Sequence, residues 1–535
     1  MASFLAGGRA TFSISTSYHR SVRWWSRQHS DPSRDGHVSG MLLRTLLRLG
    51  VFTFLACAGT VVPAQGQEAE VITTQIGPMR VLPPDFLGYN LDLGARLQDW
   101  HSAPFLAAVR ALQPGTLRYP GGTLSNYWNW RSGNFDAAGR QRYRGWRRLH
   151  PQLHFGLGDL QSGLQASGAQ AVFDLNLLSG TLANAEAELH AAQAQGIAVR
   201  YVELGNEFYL STPNNVRAFP DAQNYAAKAT RWAQALHAAF PQARIAAVGA
   251  YMFDPAWAQR HQPRIAGWNH RVMAALHGVD AMTMHIYVPT GIYLRRHHLR
   301  FDAASIPALL GYTLQQMHQA TTQMRAFGTL PVWVTEYNQT DWHKVPAPWG
   351  MRELPGPVDG TWTQALIVAA QTLALAQDPQ VRLADVHALV SQGAFGALFA
   401  NAQAFGPQQP AVRPLARSAS GVMLQAIAHV LHGATRLAPL YFAGAPTLPG
   451  GASSLMGVEV WRGDGPPALL VLNLGAQAQS LQLPSLPAGA TWQTLSAVPT
   501  DRLLDAARQI TRQTGTLQRT LNLPGYALLS VGVHR

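Results

Sequence analysis

Short apolar runs alternate with longer segments of helical period between about residues 85 and 400. The runs are continuously apolar, which is typical of parallel strands buried on both faces. The intervening segments, such as 184–196 and 224–240, are rich in Ala, Leu and Gln, and Gly196 is a candidate C-cap. There are eight runs: FLGYNL (86–91), TLRYP (116–120), AVFDLNLL (171–178), VRYVELGNE (199–207), RIAAVGA (244–250), AMTMHIY (281–287), PVWVTEYN (331–338) and VHALVS (386–391).

Eight strand–helix units favour a closed (β/α)8 barrel. An open doubly wound sheet is the alternative, but no GxGxxG motif follows a strand. After about residue 435 the chain instead has short β-patterned runs separated by Gly, Pro and Asn, which predict an antiparallel sandwich. The predicted fold class is therefore α/β, a (β/α)8 TIM barrel with a C-terminal antiparallel β-sandwich domain.

The predicted domains follow from these changes of pattern. Residues 1–66 are an N-terminal extension and secretory signal, and residues 67–84 contain a strand that is a candidate member of the sandwich. The catalytic barrel spans 85–430 and the β-sandwich spans 431–535.

The signal begins at Met41, which competes with Met1 as the true start. Arg44 and Arg48 precede an apolar stretch that is too short to cross a bilayer comfortably, and small residues follow it. We therefore expect a secreted or periplasmic protein without a transmembrane segment. The single cysteine, Cys57, lies inside this signal after a loose lipoprotein box, so lipid anchoring is the less favoured alternative.

Composition agrees with a large folded core. The chain has 535 residues, of which 47% are hydrophobic and only 13% are charged, which argues against disorder. The formal charge of +13 comes mainly from Arg, which suits bidentate binding of carboxylate or sulfate but can equally reflect an Arg-rich composition. Charge alone would also allow nucleic-acid binding, but the secretory signal and the barrel argue against it.

Polar residues lie at the predicted strand ends, where a barrel builds its active site. They are Asn90 and Asp92, Arg118 and Tyr119, Asp174 and Asn176, Asn206 and Glu207, His285 and Tyr287, and Glu336 and Asn338. The glutamates end strands 4 and 7, on opposite sides of one barrel mouth. Two facing carboxylates are the minimum for glycosidic bond cleavage, and a separation of about 5 to 5.5 Å makes one a nucleophile and the other an acid, then a base.

The neighbouring residues suit such a pair. A nucleophilic carboxylate must stay ionised, and Arg118 and Tyr287 are candidates to hold it so. Asn206 can donate to the sugar hydroxyl beside the reacting carbon. We predict that Asn90, Asn176 and His285 also bind substrate, although a single strand-end Glu or His is more often structural. The predicted site contains no metal and no cofactor.

The motifs ELGNE and VTEYN resemble those of the clan A retaining (β/α)8 glycosidases. The resemblance implies that Glu207 is the acid/base and Glu336 the nucleophile. VFDLNLL, AAQAQGIAVRYVELGNEFYL and the HIY of strand 6 resemble the heparanase/β-glucuronidase family, whose barrel also carries a terminal sandwich. LRYPGGTLSNYWNW instead resembles α-L-arabinofuranosidases, as does Tyr337-Asn338 after the nucleophile. Phe208 departs from the Pro that usually follows the acid/base in heparanases.

Two basic segments fall in predicted loops on the catalytic face, at 140–150 and 294–300. We expect Arg295 and Arg296 in the second to contact an anionic glycan, with ordinary solvated loop charge as the alternative.

Three tryptophans, Trp128, Trp130 and Trp146, share the loop after strand 2. Trp128 is the candidate for stacking on a sugar face, although some of these rings are expected to pack beneath the loop. The Pro-Gly-Gly at 120–122 is expected to serve the backbone turn rather than the substrate.

The predicted function is a secreted retaining glycoside hydrolase acting on a uronic-acid-containing oligosaccharide or polysaccharide by double displacement. An α-L-arabinofuranosidase or another neutral-glycan glycosidase is the alternative. A non-catalytic glycan-binding protein is a third reading, which the two intact glutamates disfavour. A metal hydrolase is disfavoured because His285, His297 and His298 lack a HExxH pattern. The predicted partner is a carbohydrate, and no oligomeric state is predicted.

Overall fold

The computed structural model describes residues 71–143, 147, 151–341, 343–347, 350–391, 393, 395–406, 409–483, 485–486 and 489–532. The predicted signal, with Met41 and Cys57, lies outside the described residues. So does most of the basic segment 140–150, including Trp146.

Eight parallel strands form a closed barrel in chain order. They are β1 (Leu87–Asn90), β2 (Thr116–Tyr119), β3 (Gln170–Asp174), β4 (Tyr201–Glu203), β5 (Arg244–Val248), β6 (Ala281–Val288), β7 (Val332–Gln339) and β8 (Val381–His387). Every residue of β1, β2 and β7 is buried, which explains why these runs are continuously apolar. The predicted fold class is confirmed.

One principal helix follows each barrel strand. The helices are α1 (Ala103–Ala111), α2 (Leu157–Ser167), α3 (Leu182–Ala194), α4 (Ala222–Ala239), α5 (Trp268–Met273), α6 (Ile306–Met324), α7 (Trp362–Gln377) and α8 (Ala419–Leu431). Four begin at a polar N-cap whose side chain accepts a backbone N–H, namely Thr181, Asp221, Thr361 and Ser418. Gly196 follows α3 with φ +77°, as its predicted capping role requires.

Short elements decorate the loops between these units. The additional helices are Leu93–Arg96, Ala137–Arg142, Pro213–Ala218, Pro255–His261, Pro263–Ala266, Thr290–Arg296 and Ala506–Gln509, with 3₁₀ turns at Ser125–Tyr127 and Arg325–Phe327. The additional strand pairs are Trp128–Asn129 with Asn134–Phe135, His343–Ala347 with Gly350–Leu354, and Val390–Ser391 with Leu398–Phe399.

The C-terminal strands form a separate curled, mainly antiparallel sheet. Its order is Thr511–Thr516, Thr491–Ser496, Ala527–Val531, Ala468–Asn473, Leu455–Trp461, Arg436–Ala443, Val71–Ile76, Gln479–Gln482 and Leu521–Leu523, and Arg80–Val81 also pairs with Arg436–Ala443. Val71–Ile76 is antiparallel to Arg436–Ala443 and parallel to Gln479–Gln482, so the predicted N-terminal strand lies inside this sheet.

Each face of the sheet contributes to an apolar core. One face encloses a small apolar core that includes Leu481 and Leu529. The other contributes Leu470 and Leu472 to the main core, against α7 and α8. No helix among the described residues is long and apolar enough to cross a bilayer.

Candidate active site

The two predicted glutamates meet at the C-terminal end of the barrel. Glu336 lies within β7, and Glu207 lies in the loop after β4. One oxygen of each carboxylate and a ring nitrogen of His285 all lie within 4.8 Å of one another. This separation suits one glutamate attacking the anomeric carbon while the other protonates the leaving oxygen.

Arg118, on β2, is fully buried and binds the protein through all three of its nitrogens. Its partners are Glu203 Oε2 at 2.6 Å from Nε, Glu336 Oε1 at 2.8 Å and Asn90 Oδ1 at 3.0 Å from Nη1, and Asn206 Oδ1 and Asp174 Oδ2 at 2.9 Å from Nη2. A guanidinium has five N–H donors, and five acceptors surround this one. Four of these contacts are hydrogen bonds and the fifth is an ion pair with Asp174, so Arg118 orients Glu336 within a buried network.

Glu336 is surrounded by donors and cations. Its Oε2 accepts a 2.5 Å hydrogen bond from the Tyr287 hydroxyl and lies 3.6 Å from Nδ1 of both His285 and His387. Burial alone would raise the pKa of Glu336, but the charges of His285, His387 and Arg118 and the Tyr287 hydrogen bond outweigh it and lower the pKa to about 2. Glu336 is thus an ionised carboxylate at neutral pH, as a nucleophile must be.

Glu207 has a different environment. Its Oε1 accepts hydrogen bonds from the Tyr209 hydroxyl at 2.9 Å and from His285 Nδ1 at 3.0 Å, and its side chain is 13% exposed against 6% for Glu336. The backbone of Glu207 has φ +52°, and its carbonyl accepts hydrogen bonds from Asn215 Nδ2 and Leu210 N. The loop thus holds the carboxylate at the opening of the cleft.

His285, on β6, lies between the two glutamates. Burial would lower its pKa, but Glu336 and Glu207 outweigh burial and raise it. Its other ring nitrogen is 3.2 Å from the Thr335 hydroxyl, which is 3.2 Å from Glu203 Oε1. His285 therefore contacts both carboxylates through the same nitrogen, Nδ1.

Asn206 is held for hydrogen bonding to a ligand. Asn126 fixes its backbone from both sides, by donating to the Asn206 carbonyl at 2.8 Å and accepting from its N–H at 3.2 Å. Its side-chain oxygen accepts from Arg118, whereas Nδ2 is buried with no hydrogen-bond partner among the described residues. The amide therefore keeps a donor for a ligand such as a sugar hydroxyl, and its role in substrate binding stays a prediction.

Asn90 and the glycines after β2 complete the floor of the site. Asn90 contacts Arg118 through its oxygen and His387 through Nδ2. Gly121 and Gly122 have φ +74° and +67°, so the turn requires them. A Cβ on Gly122 would lie 4.0 Å from Glu336 Oε1, which means that this backbone also borders the catalytic centre.

Asn176 and Trp128 make structural contacts instead. Asn176 Nδ2 donates to the Trp128 carbonyl at 3.2 Å and to Asp136 at 3.3 Å, within the loops after β2 and β3. The Trp128 ring is 4% exposed and lies beneath the Arg96 guanidinium, 5.0 Å from the ring centre. Their roles in substrate binding stay predictions, and the contacts seen here are with the protein.

The second basic segment lies beside the cleft. Arg295 and Arg296, in the helix Thr290–Arg296, both line a cavity next to Glu207. Arg296 pairs with Asp254 at 2.8 Å, so its charge is already compensated, whereas Arg295 is exposed at the rim.

Two residues at the site escaped sequence analysis. His387 ends β8, so the strand-end rule that found the glutamates would have found it in VHALVS. Tyr209 lies in an irregular loop, and nothing in its sequence context indicates that its hydroxyl reaches Glu207.

Glu207, His285 and Glu336 also have the spacing of metal ligands. Tyr209, His285, Tyr287 and Arg118 already bond the carboxylate oxygens that a cation would use. The set is therefore arranged as a pair of carboxylates supported by donors.

No family model and no curated protein matches the sequence. Solved structures do match the fold. A family 51 α-L-arabinofuranosidase from Bifidobacterium longum has a TM-score of 0.62 at 19% identity, covering 86% of this chain and 98% of that one. The α-L-arabinofuranosidase of Thermotoga maritima has a TM-score of 0.60 at 16% identity, covering 86% and 99%.

A 4-O-α-L-rhamnosyl-β-D-glucuronidase from Fusarium oxysporum 12S is also similar, with a TM-score of 0.55 at 15% identity, covering 86% and 100%. These proteins share a barrel and a β-sheet domain with this chain over nearly their whole length. The chain thus has the fold of the clan A (β/α)8 glycoside hydrolases.

Proposed function

We propose that the protein is a retaining O-glycoside hydrolase in which Glu336 is the nucleophile and Glu207 the acid/base. The observation that carries the proposal is the glutamate pair, with oxygens within 4.8 Å and with Glu336 alone held by Arg118 and Tyr287. An inverting enzyme needs a wider separation, about 6.5 to 9.5 Å, to admit a water molecule between its carboxyl groups.

In the first step Glu336 attacks the anomeric carbon and the bond from that carbon to the leaving oxygen breaks. Glu207 gives its proton to that oxygen, and Asn206 Nδ2 donates to the hydroxyl beside the reacting carbon. In the second step Glu207, now ionised, takes a proton from water as the water displaces Glu336. His285 contacts Glu207 throughout and stabilises the charge that appears on it.

For the sugar, we propose an α-L-arabinofuranoside as the first candidate. The support is the stretch LRYPGGTLSNYWNW and the arabinofuranosidase names of two of the structural neighbours. A uronic-acid glycoside is the second candidate, favoured by the exposed Arg295 at the cleft and by the glucuronidase neighbour. It now ranks second because Arg118 and Arg296 are committed to protein carboxylates.

A panel of 4-nitrophenyl glycosides tests both levels of the proposal: arabinofuranoside, glucuronide, xyloside, galactoside and glucoside. We expect one to be hydrolysed and chelator to leave the rate unchanged. Glu336→Ala should abolish hydrolysis, and azide should restore it with formation of the glycosyl azide of inverted configuration. Azide product of retained configuration would contradict the nucleophile assignment.

Glu207→Gln tests whether Glu207 is the acid that protonates the leaving group. It should slow substrates with poor leaving groups far more than activated aryl glycosides, because only the former need protonation. Equal losses would mean that another residue is the acid. Binding of all the glycosides without turnover by the unmodified protein would favour a glycan-binding protein.

We also propose that the protein is secreted or periplasmic, on the strength of the signal-like stretch after Met41. Cell fractionation and N-terminal sequencing of the exported protein test this. A protein that starts at Met1 and stays in the cytoplasm would contradict it.

A further inference from the structure

A cavity of about 200 Å³ opens directly beside Glu207. It is formed by segments that follow β4, β5 and β6, and we call it the β4–β6 pocket. Its apolar walls come from Leu210, Phe253, Trp257, Ile265 and Ile292. Glu207, but not Glu336, lines it, and the acid/base is the residue that protonates the leaving group. The pocket therefore lies where a leaving group would lie.

Three polar side chains of the pocket wall are committed to the protein, and Arg295 is exposed at its rim. Asp254 pairs with Arg296 at 2.8 Å, the Tyr251 hydroxyl donates to Gln316 Oε1 at 2.6 Å, and the Tyr209 hydroxyl donates to Glu207. The hydroxyls of a second sugar would lose water here and gain few partners, which is costly. An apolar group loses nothing by the same transfer and gains from burial.

The volume suits aromatic rings. An apolar protein cavity of about 150 Å³ binds benzene, so a pocket of this size with one open end accommodates one or two fused rings. Phe253, Trp257 and Tyr251 supply faces and edges for ring contacts.

We propose that the protein cleaves glycosides whose leaving group is an apolar aromatic aglycone of one or two rings, bound in the β4–β6 pocket. The inference rests on the proposed function and adds the chemical class of the aglycone. The bond from the anomeric carbon to the aglycone oxygen breaks, Glu207 protonates that oxygen, and the phenol leaves. Water then releases the sugar from Glu336 and returns the proton to Glu207.

The kinetic test compares the 2-naphthyl and methyl glycosides of whichever sugar the panel identifies. We expect Ile265→Asn to lower the ratio of kcat/KM for the naphthyl over the methyl glycoside by at least about tenfold, since it makes the pocket polar. Phe253→Ser should act in the same direction, in case the first variant folds poorly. Val216→Ala, at an exposed position outside the pocket, is the matched control and should keep the ratio of the unmodified protein. An unchanged ratio in both pocket variants would overturn the inference.

Calorimetric titration with free 2-naphthol separates this inference from the proposed function. We expect the unmodified protein to bind 2-naphthol and both pocket variants to bind it at least about tenfold more weakly. Binding of this kind would support the pocket even if every glycoside were inert, which would contradict only the hydrolase assignment. Hydrolysis of glycosides without naphthol binding, and with an unchanged ratio, would overturn the pocket alone.

Discussion

Arg118 places one buried positive charge beside three acidic side chains. It faces Asp174, Glu203 and Glu336, and all three carboxylates are buried. Burial raises the pKa of Asp174 to about 8, despite its contact with Arg118. Burial thus weakens the tendency of Asp174 to ionise, which reduces its competition with Glu336 for the charge of Arg118. This arrangement lets the buried Glu336, the proposed nucleophile, remain ionised.

The low pKa of Glu336 has a consequence for stability. Its pKa in the folded protein is about 2 against 4.5 as a free side chain, so its contribution is complete above pH 4.5 and is lost as pH falls towards 2. The contribution is on the order of 3 kcal/mol. We expect the unfolding free energy of Glu336→Gln to fall less than that of the unmodified protein between pH 5 and pH 2.5, by urea denaturation. Parallel pH profiles for the two proteins would contradict this account.

Individual residues also show which features of a site the sequence can predict and which it cannot. Glu207 and Glu336 were predicted because topology alone brings the ends of strands 4 and 7 to one mouth. Asn176 is predicted to bind substrate because it ends strand 3, and Trp128 because its loop after strand 2 adjoins that mouth. Their directions are set by Arg96 and Asp136, through contacts that no local pattern shows.

At the scale of elements, the loop after β4 is the most specialised. The apolar run that predicted this strand extends to residue 207, but β4 ends at Glu203. Gly205 and Glu207 have φ +86° and +52°, which no strand allows. Phe208 anchors the turn, fully buried against Phe219 and Tyr225. Phe208, which departs from the Pro usual in heparanases, thus packs in the core.

Gly205→Ala tests this loop, with Gly196→Ala as its matched control. Both glycines have a left-handed φ, so each change should cost about 1 kcal/mol. A Cβ on Gly205 would lie 2.3 Å from the Phe208 ring, whereas a Cβ on Gly196 meets nothing within 4 Å. Gly205→Ala should therefore lower the unfolding free energy by about 1–3 kcal/mol more than Gly196→Ala does. It should also lower kcat at least about tenfold by displacing Glu207.

Urea denaturation and kinetics on the best aryl glycoside measure the two effects. Equal losses of stability and activity in the two variants would show that the Phe208 contact does not position the acid.

At the scale of the molecule, direct hydrogen bonds join the barrel to the C-terminal sheet domain. Trp362, the first residue of α7, is fully buried and donates to the Tyr526 carbonyl of the sheet at 2.7 Å. Arg502, from the C-terminal domain, donates hydrogen bonds to the carbonyls of Gly356 at 2.8 Å and Asp359 at 3.0 Å. Asp359 in turn contacts Gln339, the last residue of the strand that carries Glu336.

Sequence patterning predicted both sets of strands and made the N-terminal strand a candidate member of the sandwich, but it did not predict which strands pair. The pairing of Thr73 with Ala443 joins residues 370 positions apart, and local periodicity has no information about such partners. The strands of the predicted sandwich are continuous with one another in a single curled sheet, and this curvature lets the sheet enclose its own core.

The shared core predicts cooperative unfolding. Side chains of the sheet such as Leu470 and Leu472 belong to the same apolar cluster as α7 and α8, so exposing either domain would uncover the other. Calorimetry should therefore give one endotherm with equal calorimetric and van't Hoff enthalpies.

Trp362→Ala tests this coupling. It should lower the unfolding free energy by about 3–5 kcal/mol and the Tm of the single transition by about 3–5 °C, without splitting the endotherm. The exposed Tyr441→Ala should leave Tm nearly unchanged, because surface truncations cost little. Two endotherms, with only one shifted by Trp362→Ala, would instead establish that the sheet is an independent domain.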